Sequence, residues 1–401
     1  MKKAVFIYSN FDFSVKNAGV TRMMYYAQAI ADQDTSVYLA TCCTSSITKH
    51  DFEELFPNVF VLKTKKTTQS FFGTIAYIKN YYRFSKTVSD NSAYLFYPSP
   101  LVYLEIIALF YLKFLKKCSV FYELNEVRKH TATFHQAVSF RRPLYSIKKM
   151  VYKTVFNVLE LALKSYDGLI CISTAIEKYG QKFNKRTVRV PILTNPYFEK
   201  SVSSNTYAKD KSFNIGFSGS IHPSKENLNA FFEVLGRLKE NEIEFTLNLC
   251  GPIKDTHKVL LLDNHASALG IKENINFYGK LNAQELSTFL DQQELLVIPR
   301  GYTLQNNFGF STKLSDYLDH AKPILVTDVS DNKLFIEDGI NGFIVPPNNN
   351  DLMYEKLIYI ITNYKELNES IKVNARETSL KSFYYKNYHK PLNQFLFKTA
   401  S

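Results

Sequence analysis

Short apolar runs alternate with longer amphipathic segments through most of the chain, and no other feature constrains the fold as strongly. In the first half, runs rich in β-branched and aromatic residues cover 4–8, 36–41, 59–62, 93–97, 119–123, 168–172 and 187–191. In the second half, similar runs cover 214–218, 245–250, 275–278, 295–298, 324–327 and 342–345. Strands that alternate with helices are typical of parallel α/β folds. The sequence therefore predicts two doubly wound α/β sheets in series.

The length of the chain predicts more than one domain. Its 401 residues exceed what one hydrophobic core usually organises. Residues 201–212 are polar and lack apolar periodicity, which marks a boundary. We predict a first domain at 1–205, a second at 206–380 and a C-terminal helix at 381–401 that packs back on the first. The carboxyl ends of both sheets are expected to face a shared cleft where a ligand binds.

Positive charge is concentrated in the first half of the chain. The net charge is +12, and the first 200 residues hold 28 Lys and Arg against 14 Asp and Glu. Basic clusters within 141–153 and 182–189 favour an anionic membrane surface or an anionic acceptor, with a solvated helix face as the alternative. Nucleic acid is not expected as a partner, because no helix-turn-helix, zinc-finger or RNP pattern occurs.

The apolar and cysteine patterns indicate the cellular compartment in which the protein is expected. The longest apolar stretch, 101–112, is shorter than the roughly 20 residues that cross a bilayer. The five Cys lack CxxC spacing and lie mostly in strand-like runs, as expected of reduced core residues. We therefore expect a cytoplasmic protein, with peripheral contact at the inner face of the membrane.

Two motifs in the second half resemble a known family. The segment FSTKLSDYLDHAKPIL at 310–325 is similar to the KLxEYLAxGKPVI helix and strand of the GT4-type glycosyltransferases, and EDGINGFIV at 337–345 resembles their DGxNGFLV hairpin. The resemblance covers essentially the whole chain. It implies the GT-B fold, with an acceptor-binding first domain and a second domain that binds the nucleotide-sugar donor.

The start of the first motif fits this role physically. Ser311, Thr312 and Lys313 open a helix, whose free N–H groups and positive dipole end suit anionic or hydroxyl-rich ligands. Asp316 lies one turn inside. The resemblance implies that this carboxylate accepts hydrogen bonds from the ribose hydroxyls, which suits its two acceptor oxygens. Without the motif, Asp316 would be interpreted as a helix-surface residue.

The chain departs from the family eight residues before Asp316. The family often has a second acidic residue there, in an E-x7-E pattern that contacts the donor sugar, but this chain has Phe308. We therefore predict that the backbone amides of Gly309 and Phe310 contact the sugar, since Gly309 permits a close approach.

The segment FSGSIHPSK at 217–225 resembles the family's FxGRxxxxKG turn, whose Arg and Lys neutralise the donor diphosphate. Lys225 matches the Lys and Gly219 the Gly. Ser220 occupies the Arg position, so Arg300, at the end of another strand-like run, is our candidate for the missing charge. A cation is required because the departing nucleoside diphosphate is negatively charged.

First-domain candidates follow two strand-like runs. Gly19 matches the place of the family's Gly-rich loop beside the donor phosphates, although an ordinary turn gives the same pattern. After the run at 119–123, relatives often place a His or an acidic pair facing the reacting sugar. Glu126 is our candidate there, followed by Asn125, with an exposed loop as the alternative.

The motifs and the resemblance together predict transfer of a sugar from a nucleotide sugar to an acceptor hydroxyl. The resemblance also implies that the anomeric configuration is retained. No cofactor and no metal are expected, because HExxH, Walker and DxD patterns are not found in a suitable place. A polyprenyl-diphosphate-linked saccharide would suit the basic first domain as acceptor, in capsule, O-antigen or exopolysaccharide assembly. A sugar-nucleotide 2-epimerase and a non-catalytic glycan-assembly binding protein remain alternatives.

Overall fold

The computed structural model describes residues 2–14, 17–63, 70–98, 102–130, 143–196, 212–221, 223–253 and 256–397. The chain divides into two compact units. Unit 1 comprises Met1–Leu193 with Tyr385–Ser401, and unit 2 comprises Thr194–Tyr384. The boundary expected at 205 falls outside the described residues, and the boundary expected at 380 lies four residues before the end of unit 2.

Unit 1 contains an eight-stranded sheet in the described part of the chain. The strands are β1 (Lys3–Tyr8), β2 (Thr35–Ala40), β3 (Phe52–Phe56), β4 (Val59–Leu62), β5 (Asn91–Phe96), β6 (Ser119–Leu124), β7 (Gly168–Cys171) and β8 (Thr187–Arg189). Their order is β3-β4-β2-β1-β5-β6-β7-β8, and only β3 pairs antiparallel, with β4. The sequence missed β3 because its exposed Glu53 and Glu54 interrupt any apolar run.

The helices of unit 1 cover both faces of this sheet. They are α1 (Ala18–Ile30), α2 (Phe71–Val88), α3 (Val102–Leu109), α4 (Pro143–Ala162), α5 (Thr174–Gly180) and a C-terminal helix (His389–Phe397). Alternate residues of a strand point to opposite faces. Accordingly, Ile7 of β1 belongs to the core that includes Met23 of α1, while the ring of Tyr8 packs 4.7 Å from that of Tyr81 on α2.

Unit 2 contains a six-stranded, fully parallel sheet among its described residues. The strands are β9 (Phe213–Ser218), β10 (Phe245–Cys250), β11 (Ile275–Gly279), β12 (Leu295–Ile298), β13 (Ile324–Thr327) and β14 (Phe343–Val345). Every run predicted from the second half of the sequence lies within one residue of a strand. Strands β12 and β13 are the most easily recognised, because parallel strands buried on both faces are continuously apolar.

The helices of unit 2 follow the strands in turn. They are α6 (Pro223–Glu226), α7 (Leu228–Glu240), α8 (Thr256–Ala268), α9 (Ala283–Asp291), α10 (Leu304–Phe308), α11 (Thr312–Asp319), α12 (Asn332–Phe335) and α13 (Asn350–Ser382). The long helix α13 packs against α7 and α11. No helix of the described residues is long and apolar enough to cross a membrane.

The strand order of unit 2 fixes where a ligand can bind. It runs β11-β10-β9-β12-β13-β14, so the chain moves outward from β9 first in one direction and then in the other. Ligands of open α/β sheets bind at the carboxyl ends of the strands beside such a reversal. The segments that follow β9 and β12 are therefore the place to look for a site.

Candidate functional site

A buried trio of charged side chains lies beyond the carboxyl ends of β9 and β12. Glu226, the last residue of α6, accepts two hydrogen bonds from Arg300, at 3.1 Å from Nε and 3.1 Å from Nη2. The Nζ of Lys313, in the first turn of α11, lies 3.0 Å from Glu226 Oε1. All three residues are buried. Three segments that are distant in sequence thus meet in one ion-paired cluster.

The trio has one more positive charge than negative charge. Burial alone would raise the pKa of Glu226, but Lys313 and Arg300 outweigh it and lower that pKa to about 2. Burial, reinforced by Arg300, lowers the pKa of Lys313 to about 8, while Glu226 opposes the decrease. At neutral pH the cluster therefore holds two cations and one carboxylate. A buried excess of positive charge is suited to binding an anion.

Gly219 brings the end of β9 against Lys313. Its φ of +139° lies where residues other than glycine are strained, and a Cβ there would come within 2.5 Å of Lys313 Cε. One turn after Lys313, the hydroxyl of Tyr317 accepts a hydrogen bond from the N–H of Ser218 at 2.8 Å. Lys313 and Tyr317 therefore fix the buried face of α11 on the end of β9.

Asp316, three residues after Lys313 on α11, has an exposed side chain. Desolvation by the surrounding protein raises the pKa of this carboxyl, while nearby His320 lowers it. Because the side chain is exposed, water also reaches the carboxylate and favours its ionised form. Asp316 is thus placed to accept hydrogen bonds from a ligand at the start of α11.

The beginning of α11 contains a polar group that lacks a partner. Ser311 is the N-cap residue and is buried, and among the described residues its hydroxyl has no hydrogen-bond partner. Thr312, which follows it, is exposed, and its carbonyl accepts from Ser315 Oγ at 3.0 Å. A buried hydroxyl without a partner costs free energy. A ligand with hydroxyl or phosphate oxygens could supply that partner.

The segment before α11 differs from what its sequence suggested. Gly309 ends α10, and its N–H donates to the carbonyl of Gln305 at 3.0 Å, so this amide is already engaged rather than available to a sugar. Phe310 is buried, with its ring 5.6 Å from that of Phe335. Phe308 is half-buried at the end of α10.

Glu226, rather than the neighbouring Lys225 that the sequence suggested, lies in the buried trio. Lys225, the predicted diphosphate ligand, has an exposed side chain, although it lies near enough to contribute to the lowered pKa of Lys313. The adjacent Glu226 points inward to the trio. Ser220 follows Gly219 and is half-buried. Sequence reasoning did not identify Glu226, because an acidic residue beside an exposed Lys carries no local signal of burial.

The candidates of unit 1 lie on two different elements. The sequence predicts a loop at Gly19, but the structure places this residue in the first turn of α1. A Cβ there would meet Phe11 Cζ at 2.9 Å. Packing against Phe11 therefore accounts for this glycine. Asn125 follows β6, and its side chain is hydrogen-bonded to Tyr97. Glu126 is exposed and lines a small pocket with Arg128 and Glu160.

Unit 1 contains a further buried ion pair that the sequence analysis did not predict. Glu123 of β6 accepts a hydrogen bond from Nε of Arg22, and Arg22 Nη1 also donates to the carbonyl of Pro191 at 2.7 Å. Burial raises the pKa of Glu123, against the opposing effect of Arg22. The pair joins α1, β6 and the segment after β8, which is a structural role.

Within the described residues, no three His, Cys, Asp or Glu side chains are grouped so that they could hold a metal ion. That the reaction needs no metal stays a prediction.

A comparison with known families matches the second half of the chain. Residues 200–378 match the family described as glycosyl transferases group 1. These residues include most of the second unit, which is therefore similar to the group 1 glycosyl transferases. An uncharacterized glycosyltransferase of Methanocaldococcus jannaschii is 24% identical over 223 residues, which are 55% of this chain and 56% of that protein. The chain thus matches about half the length of this relative.

Solved structures show the same fold along the whole chain. HepE of Anabaena, in complex with UDP and glucose, matches with a TM-score of 0.69 and 13% identity over 100% of both chains. The lipopolysaccharide outer core galactosyltransferase WaaB, in its apo form, matches with a TM-score of 0.65 and 14% identity over 98% of this chain and 99% of that one. The chain has the GT-B fold of two Rossmann-like domains, which confirms the predicted fold class.

Proposed function

We propose that the protein transfers a glycosyl unit from a nucleotide sugar to an acceptor hydroxyl. The observation that carries this proposal is the buried trio of Glu226, Arg300 and Lys313, with its excess positive charge, one turn from Asp316. A nucleoside diphosphate offers both a diphosphate for the cations and a ribose diol for the carboxylate. The complex of HepE with UDP and glucose supports a nucleotide sugar as the ligand.

Lys313 and Arg300 would stabilise the leaving group, with Lys225 at the solvent-exposed edge. In the transfer, the acceptor oxygen forms a bond to the anomeric carbon while the bond from that carbon to the diphosphate oxygen breaks. The acceptor proton passes to the leaving phosphate, so no separate base is required. Cations fixed before the reaction stabilise the charge that develops on the diphosphate. Asn125 and Glu126 remain candidates for groups that face the reacting sugar.

Several finer properties belong to the same proposal. We propose retention of the anomeric configuration, catalysis without a metal or other cofactor, and a cytoplasmic location at the inner face of the membrane. The basic first half of the chain suits an anionic acceptor such as a polyprenyl-diphosphate-linked saccharide. The likeness to WaaB, a lipopolysaccharide galactosyltransferase, supports a role in bacterial surface polysaccharide assembly.

Donor binding is tested by thermal shift and calorimetry with UDP, GDP, ADP and CMP, each with EDTA present. A ligand that binds only the native state raises the melting temperature. We expect a shift with one nucleoside diphosphate, weakened in Asp316→Ala. The matching nucleotide sugar should then release its diphosphate when an acceptor extract is added. If no nucleotide shifts the melting temperature at millimolar concentration, the donor site is wrong.

A further inference from the structure

Unit 1 exposes large apolar side chains on two neighbouring helices. After α3, the chain continues as a π-helix over Phe110–Leu115. Ile106, Phe110 and Phe114 follow one another at intervals of four residues, and all three are exposed, Phe110 by 56%. The rings of Phe110 and Phe114 have centroids 6.1 Å apart. Side chains at this spacing share one face of a helix, so α3 and its extension present an apolar stripe to solvent.

Helix α4 presents a second apolar stripe. Its exposed apolar side chains recur at helical spacing along one face, and Met150 is exposed by 66%. They are Ile147, Met150, Val151, Val158 and Leu161. Phe156 lies on the opposite face and is buried. The pattern is therefore inverted relative to an ordinary surface helix, which is polar where it faces water.

The two stripes belong to the same outer surface. Helix α3 packs beside α4, and each directs other residues inward: Leu104, Ala108 and Leu112 are buried in the first, and Phe156 in the second. The exposed stripes consequently point away from the sheet. Single exposed apolar residues are ordinary, but a contiguous group on adjacent helices marks an interaction surface. We call it the α3–α4 surface.

The charges around the α3–α4 surface are basic. Lys116 and Lys117 follow the π-helix, and Lys153 and Lys164 lie on or next to α4; all four are exposed. Of the acidic residues in 102–117 and 147–165, Glu105 is buried with Arg128, and Glu160 is paired with Lys129. Lys116 Nζ also lies 5.4 Å from the centroid of the Tyr82 ring.

We propose that the α3–α4 surface is the membrane-docking face of this protein and that its partner is the interface of a bilayer containing anionic lipids. Exposed Phe, Leu and Met side chains bordered by Lys match such an interface, because the apolar groups enter the acyl boundary while the ammonium groups meet lipid phosphates. A second copy of this chain fits less well, since pairing two such faces would bring like charges together. This inference deepens the proposed membrane contact and rests on it.

The surface is tested by co-sedimentation with vesicles of phosphatidylcholine, with or without phosphatidylglycerol. The wild-type protein should bind the vesicles that contain phosphatidylglycerol and bind the neutral ones more weakly. The variant Phe110→Ser/Met150→Ser should lower binding by about tenfold or more, the effect of removing two buried apolar groups. Leu260→Ser/Leu261→Ser, which removes two exposed apolar side chains from α8 of unit 2, should leave binding unchanged.

Calorimetry with UDP on the same proteins separates this inference from the donor site. The Phe110→Ser/Met150→Ser variant should bind UDP as the wild type does, so lost vesicle binding with intact UDP binding supports the surface. The inference is overturned if the wild type stays in the supernatant with anionic vesicles, or if both double variants bind them equally. It is also overturned if sedimentation equilibrium shows a dimer that only Phe110→Ser/Met150→Ser dissociates.

Discussion

Replacing Lys313 by Met tests which lysine binds the donor diphosphate. The substitution keeps the length of the side chain and removes the ammonium group, whose Nζ lies 3.0 Å from Glu226 in the buried trio. Hydrogen bonds to charged partners contribute about 1.5–3 kcal/mol. Loss of one such contact corresponds to a weakening of UDP binding by about 10- to 100-fold.

Lys225→Met is the matched control, because Lys225 is the family's expected diphosphate ligand and lies on the exposed side of α6. An exposed charge contributes about 0.2–1 kcal/mol, which is less than about sixfold in affinity. Titration calorimetry with UDP at pH 7, in EDTA, measures both variants. Their melting temperatures show whether each remains folded, since Glu226 keeps Arg300 as its partner in Lys313→Met.

The relative size of the two losses in UDP affinity decides which lysine is assigned to the diphosphate. A larger loss in Lys313→Met supports the buried trio as the diphosphate site. An equal or larger loss in Lys225→Met would refute that reasoning and return the role to the exposed lysine. Inorganic pyrophosphate as a second ligand isolates the contribution of the diphosphate, because it lacks ribose and base.

Four further predictions concern the same site. Because the pKa of Lys313 is lowered to about 8, UDP affinity should fall as pH rises through 8 and should stay level in Lys313→Met. Glu226 should stabilise the folded state above its usual pKa of 4.5, and this contribution should be lost as pH falls towards 2. Melting temperatures measured against pH test this, and the Glu226→Gln variant should not show that loss of stability. Asp316→Asn should weaken UDP binding by about tenfold and leave pyrophosphate binding unchanged, because the proposed partner of this carboxylate is the ribose, which pyrophosphate lacks. Gly219→Ala should cost about 1–3 kcal/mol and weaken UDP, because its Cβ would strike Lys313; Gly270→Ala, also at positive φ but with nothing within 4 Å, should leave UDP binding intact.

Much of the fold follows from local sequence patterns. The central strands β12 and β13 are continuous apolar runs that are buried along their whole length, and such runs are recognisable in the sequence alone. Strand β3 is different, since it is an edge strand with exposed Glu53 and Glu54 that pairs antiparallel with β4. Its formation depends on a partner rather than on its own composition.

The candidate site was predictable only in part. The helix that carries Lys313 and Asp316 has a recognisable motif, and the structure places it at the end of β9. The partnership of Glu226 with Arg300, 74 residues away, follows from the strand order rather than from any local pattern. Which of the adjacent Lys225 and Glu226 points inward depends on how α6 leaves β9. A single sequence contains no signal for that choice.

The path of the chain between the two units has a consequence for dissecting the protein. Unit 2 is an insertion: the chain enters it at Thr194 and leaves it at Tyr384, after which it completes unit 1. Entry and exit are paired, since the N–H of Thr194 donates to the carbonyl of Phe383 at 2.8 Å. A fragment of 194–384 would therefore begin and end at neighbouring points, which suits excision or circular permutation. Removal of the last residues, in contrast, would take a helix from unit 1 and leave unit 2 intact.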